Sequence, residues 1–157
     1  MSPIPEIFTD GSCHTQERFG AWAAVILIDG KEVVLSGKQP DTTHNRMEIV
    51  AVINSLRYVL NNYKGVKELI IVSDSQYVIG LVSRQAKFNA SNYKTKEGND
   101  IRNIDLVKEL LQLLSVIKVR FIKIKAHQKA TDVVNYNIIV DKLSRQIVRE
   151  VINNRIK

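Results

Sequence analysis

Cysteine is almost missing from this chain. Cys13 is the only one in 157 residues, which excludes an intramolecular disulfide and a thiolate metal cluster. A nucleophilic Cys13 would need a base beside it, so the plainer reading is a small, half-buried side chain after a strand. Also absent is any apolar run near the length needed to cross a bilayer. The opening MSPIPEIF has neither the basic n-region nor the apolar h-region of a signal peptide. The expectation is a cytoplasmic protein with no membrane partner. There is no internal repeat, low-complexity tract or Gly/Ser-rich linker, so 1–157 is read as one domain, long enough to bury a core without staples.

Acidic residues are the minority charge. The chain carries 16 Asp and Glu against 23 Lys and Arg, a net charge of +7. Such a surplus favours a polyanionic partner, nucleic acid ahead of a membrane surface, although basic surfaces also serve solubility alone. The hydrophobic share of 45% is that of an ordinary globular protein.

What is present begins with a strand over 4–10. Next, AAVILID and KEVVLSG flank Asp29-Gly30, a strong hairpin signal. QPDTTHNRMEIVAVINSLRYVLNNYKG is the clearest helix, with Ile49, Ile53, Leu56 and Leu60 at helical spacing and Gly65 past its end. KELIIVSDS reads as a strand buried on both faces, and a short helix runs from Ser75 to about Arg84. Residues 85–102 lack a stable apolar period but carry Lys87, Lys94, Lys96 and Arg102 with Phe88 and Tyr93 between them. A helix follows with Asn103 as its N-cap, then the basic strand VIKVRFIKIKA, a polar loop, and a closing helix striped by Val140, Leu143, Ile147 and Val151. The order β-β-β-α-β-α-(insert)-α-β-α implies an α/β fold, a five-stranded mixed sheet with helices on both faces.

Four acids stand out on that scaffold. Asp10 sits on the first strand, where Asp is disfavoured and a carboxylate near a core needs a compensating charge. Asp74 closes the buried fourth strand, and α/β sheets place ligands at the carboxyl ends of such strands. Glu48 is in the first turns of the long helix, and Asp141 is in those of the last, one turn after Asn137. Converging carboxylates are reconciled by hard divalent cations such as Mg²⁺. Two such ions roughly 3.5–4 Å apart form the clamp of phosphodiester cleavage. Each acid also has a plainer use. Asn45-x-x-Glu48 has the shape of a capping box, Asp74 can cap the helix after it, and Asp141 is spaced for an ion pair with Arg145.

The motifs FTDGSC, HNRMEIVAV, VSDSQYV and Asn137/Asp141, in this order and spacing, resemble type 1 ribonuclease H from Ile7 to about Val148. The resemblance implies the ribonuclease H-like fold and a two-metal endoribonuclease. It would hydrolyse the RNA strand of RNA–DNA hybrids and leave 5′-phosphate and 3′-hydroxyl ends, with Mg²⁺ as cofactor and Mn²⁺ able to substitute. It implies Asp10, Glu48, Asp74 and Asp141 as catalytic metal ligands, and His127 as a loop histidine assisting proton transfer or product release. Asn45 and Gln76 would read the hybrid's minor groove, where RNA shows its 2′-hydroxyls, with Asn137 beside the last acid. Gly11 and Ser12 would let a nucleic-acid backbone approach. Thr43, with Asn103, would grip a DNA phosphate. The insert, through Lys87, Phe88, Lys94 and Lys96, would be a basic protrusion holding the DNA strand.

There are departures from the family's pattern. CHTQERFGAW replaces a Gly- and Asn-rich turn, leaving His14 or Gln16 for a groove contact. Asp41 stands where a basic residue often supports the phosphate pocket. The protrusion lacks tryptophans, and the loop from His127 to Asn137 is long. The expectation is a free-standing monomer. Competing readings are a non-catalytic hybrid-binding module, a ribonuclease H part of a reverse transcriptase, and a DNA-junction nuclease.

Overall fold

A computed structural model describes residues 3–126, 128–129, 131 and 133–156. Its ten elements are β1 (Glu6–His14), β2 (Phe19–Ile28), β3 (Lys31–Gln39), α1 (His44–Asn62), β4 (Glu68–Ser73), α2 (Gln76–Ser83), α3 (Gln85–Ser91), α4 (Ile104–Leu114), β5 (Lys118–Lys123) and α5 (Tyr136–Ile156). The strands form one mixed sheet in the order β3-β2-β1-β4-β5. β1 and β2, and β2 and β3, pair antiparallel, while β4 is parallel to both β1 and β5.

The β2–β3 hairpin turns on Asp29 and Gly30, at φ 51° and 71°. Both are left-handed, as a two-residue turn matched to strand twist requires. β2 is buried on both faces, which explains its unbroken apolar run. α1 packs on one side of β1 and β2, and α5 on the other. Ile49, Ile53 and Leu56 of α1 meet Ile7, Ile26 and Ile71 in the larger core, while Val140 of α5 packs with Ala23 and Val25. The edge strand β5 exposes Lys118 and Arg120, charges that discourage pairing with another chain.

Several expectations are corrected. β1 starts two residues later and runs four residues further than 4–10, because Gly11 to His14 keep pairing with Trp22 to Phe19. The line on α5 that is buried deepest is Val140, Ser144 and Val148, not Val140 with Leu143, Ile147 and Val151. Ser144 donates to the Asp141 carbonyl at 3.1 Å, so a polar residue sits in the apolar line with its hydroxyl satisfied. The insert is not irregular throughout. It opens with α3, which ends where Asn92 turns left-handed at φ 53°. Phe88 is only 6% exposed and belongs to the larger core, with its ring stacked on Tyr93 at 6.1 Å. Phe88 is therefore a packing residue of the core that also borders a cleft beside Lys87, Lys94 and Lys96.

Candidate active site

Sheet register brings the first two acids together. Phe8 is paired with Val72 across the parallel β1–β4 ladder. Two residues beyond that pair stand Asp10, in the middle of β1, and Asp74, just past the carboxyl end of β4. The third acid comes from α1, which crosses β1 at Gly11. A Cβ on Gly11 would lie 2.6 Å from the Glu48 nitrogen and 2.7 Å from the Met47 carbonyl carbon, so the helix can come this close only over glycine. Carboxylate oxygens of Asp10, Glu48 and Asp74 all lie within 4.8 Å of one another.

Two of these acids are deeply buried: Asp10 is 5% exposed and Glu48 2%. The Gly11 amide donates to Asp10 Oδ1 at 2.9 Å and to Glu48 Oε1 at 2.6 Å. That single N–H cannot neutralise two carboxylates. In the metal-free protein, burial pushes the Asp10 carboxyl up to about 7, with the charges of Asp74 and Asp141 adding to the rise. Burial also raises Glu48 well above the usual carboxylate range, helped by its hydrogen bond to Asp10 and by that neighbour's charge. Glu48 Oε2 is buried without a hydrogen-bond partner. An orphaned carboxylate oxygen inside an all-oxygen donor set fits a hard divalent cation.

Asp141 stands outside that trio. It pairs with Arg145 at 3.1 Å and lines the same cleft of about 640 Å³. Its ion-pair and site readings are therefore compatible. Neither of the other plain uses holds. Thr43, not Asn45, caps α1 by accepting from the Arg46 amide at 3.2 Å. Ser75, not Asp74, caps α2 by accepting from the Val78 amide at 3.1 Å. Hydroxyls two residues before Asn45 and one residue after Asp74 do the capping, which leaves both carboxylates to the site.

The remaining residues divide. Gly11, Ser12, Asn45 and Gln76 line the acid cleft, as do His44 and Tyr77, which sequence reasoning missed. Asn137 does not line it, and its amide donates to Asn135 Oδ1 at 3.0 Å in the first turn of α5. Thr43 borders a separate notch of about 230 Å³ with Cys13 and Arg18. Asn103 is the N-cap of α4, at φ 57°, and its carbonyl accepts from the Val107 amide at 2.9 Å, but its side chain makes no capping bond. Its side chain donates to the Tyr77 hydroxyl at 2.9 Å and accepts from Arg46 at 3.3 Å. Lys87, Lys94 and Lys96 border a third cleft of about 340 Å³ on the insert, where Lys94 pairs with Asp100 at 2.5 Å. His127 lies outside the described residues.

Carboxylates delivered by β1, by the residue after its parallel neighbour β4 and by a crossing helix to the middle of a mixed sheet define an acidic, metal-compatible site of the kind phosphoryl-transfer enzymes use. Comparison with known proteins gives the family. The profile of RNase H matches residues 4–149, and the chain belongs to the ribonuclease H family. It is 34% identical over 146 residues to the ribonuclease H of Caldicellulosiruptor saccharolyticus, covering 92% of this chain and 95% of that one. The Acetivibrio thermocellus ribonuclease H is also 34% identical over 146 residues, with 92% and 94% covered. Among solved structures, LC9-RNase H1, described as a type 1 RNase H with the type 2 active-site motif, superposes with a TM-score of 0.75. That match has 21% identity and covers 96% of this chain and 74% of the other. It supports the fold.

Proposed function

We propose that this chain is a divalent-metal-dependent endoribonuclease that cuts the RNA strand of RNA–DNA hybrids and leaves 5′-phosphate and 3′-hydroxyl ends. The carrying observation is the convergence of Asp10, Glu48 and Asp74 within 4.8 Å, with Glu48 Oε2 buried and unpartnered. Asp10, Glu48, Asp74 and, at the cleft's side, Asp141 would hold Mg²⁺, in two ions, with Mn²⁺ able to substitute. Bound metal supplies Lewis acidity at the scissile phosphate and a hydroxide nucleophile at neutral pH. Gly11 fixes Asp10 and Glu48 relative to each other through one shared amide. Ser12, Asn45 and Gln76, which line the cleft, would meet the minor groove, where a 2′-hydroxyl distinguishes RNA from DNA. Thr43 would meet a DNA phosphate and Lys87, Lys94 and Lys96 the DNA backbone. His127 would assist proton transfer or product release. Asn103 is committed to Tyr77 and Arg46, so its part is to position those neighbours. The reading includes one domain acting as a monomer in the cytoplasm. No helix among the described residues is long and apolar enough to cross a membrane.

Labelled hybrid, duplex RNA and duplex DNA incubated with Mg²⁺ or Mn²⁺ test the reading. Selective cleavage of the hybrid's RNA strand is expected, and its absence overturns the proposal. Asp10→Asn should lower turnover by more than about 100-fold, since loss of even an outer-sphere partner of a metal site costs up to that much. Hybrid binding should survive.

A further inference from the structure

We propose that the outer face of α5 is a phosphate track for the strand being cut, carried by Lys142 and Arg149 and entered at Arg145. This inference rests on the hybrid-cleaving reading above. The helix has two faces of opposite use. Val140, Ser144 and Val148 are buried as α5 packs on β1 and β2. Lys142, Arg145 and Arg149, at i, i+3 and i+7, share the face turned away from the sheet, and all three are exposed.

A groove of about 420 Å³ lies along that face, lined by Asp141, Lys142, Arg145, Gln146 and Arg149. Asp141 and Arg145 also line the acid cleft, so the groove continues the cleft. A strand whose phosphate sits at the acids leaves them directly onto cations. Arg145 is tied to Asp141 at 3.1 Å. Among the described residues, neither Lys142 nor Arg149 is in an ion pair, so their charge is open to an anion. From 142 to 149 the helix rises about 10 Å. That is roughly the axial length of three nucleotides, enough to face successive phosphates. Gln146 adds an uncharged donor between them. A basic face beside an acidic site has a physical use: it attracts the backbone that the acids would repel.

The test uses the full chain with Lys142→Gln/Arg149→Gln, and a control, Lys31→Gln/Lys67→Gln, that removes two exposed lysines at the opposite end of the sheet. Binding is read in an Asp10→Asn background, so affinity is obtained whether or not cleavage occurs. The track variant should raise KM about tenfold near 0.1 M salt with kcat unchanged, and make the log K against log salt slope shallower by about 1.5. The control should stay within about twofold. Uncharged methylphosphonates placed within three linkages of the scissile bond should weaken wild-type binding when in the RNA strand and leave the track variant unaffected. Equal loss in variant and control, an unchanged salt slope, or sensitivity confined to the DNA strand would overturn the track. Failure of wild type to cut hybrid while binding still depends on Lys142 and Arg149 would overturn the activity instead.

Discussion

Gly11 and Glu48 meet at 2.6 Å, amide to carboxylate, where α1 crosses β1. The contact joins fold to site, because the glycine that admits the helix also donates to its acid. Gly11→Ala tests the coupling. The new methyl would strike the backbone of Met47 and Glu48 at 2.6–2.7 Å, and backbone cannot rotate away as a flexible side chain would. Overpacking of this kind costs about 1–3 kcal/mol, measurable by urea denaturation. Activity should fall much further, about 100-fold in kcat/KM, because a 1 Å shift of a reacting group has that effect. A variant losing stability but retaining full activity would refute the coupling.

Glu48→Gln should separate stability from metal affinity. A buried carboxylate with an orphaned oxygen strains the metal-free fold, while the amide keeps the acceptor for Gly11 and gains a donor toward Asp10. In chelator at pH 8, the variant should unfold at a higher temperature than wild type, because an unsatisfied buried polar group costs about 1–3 kcal/mol. With Mg²⁺ added, wild type should gain stability and the variant should gain little, as mass action requires of a lost site. Thermal unfolding followed across a Mg²⁺ titration measures both.

Much of this was legible from residues alone. Asp10 stood out because a strand offers a carboxylate no cheap use, and Asp74 because it ended an apolar run. The hairpin at Asp29-Gly30 and the buried stripe of α1 followed from turn chemistry and period. What stayed hidden is decided by neighbours. No spacing rule tells whether Thr43 or Asn45 caps α1, or Ser75 or Asp74 caps α2, since all four residue types cap well. Ser144 interrupts the apolar line of α5, and only its bond to the Asp141 carbonyl shows why burial is tolerated. The commitment of Asn103 to Tyr77 and Arg46 spans three separate elements. Phe88 looked like a surface aromatic because Lys and Asn surround it in sequence, while its ring turns inward.

Phe88 therefore carries its own prediction. With 6% exposure and a place in the larger core, truncation to alanine should destabilise by about 3–5 kcal/mol. Phe88→Leu should recover most of that loss. Hybrid affinity of the folded fraction, measured at low temperature, should change less than twofold, whereas a stacking contact would cost about 1–3 kcal/mol of binding per base. A large affinity loss with little change in stability would place the ring on the duplex after all.

The last prediction concerns pH. Asp10 rises from 3.8 to about 7 in the metal-free protein, chiefly through burial. The folded state thus holds a proton that the unfolded chain has already released between about pH 4 and pH 7. In that window the folded state binds more protons, so unfolding free energy falls as pH rises. The contribution is fully present below pH 4 and lost as pH passes about 7. Glu48 is raised from the same cause and adds to the decline. A divalent cation reverses the preference, because it binds the ionised acids and competes with the proton. Unfolding scans from pH 5 to pH 8.5, in chelator and in Mg²⁺, should show a metal-dependent gap that is small at pH 5 and widens steadily. In Asp10→Asn the decline assigned to Asp10 should disappear and the gap should shrink. A gap that stays constant across pH would mean the cation does not replace a proton at this carboxylate pair.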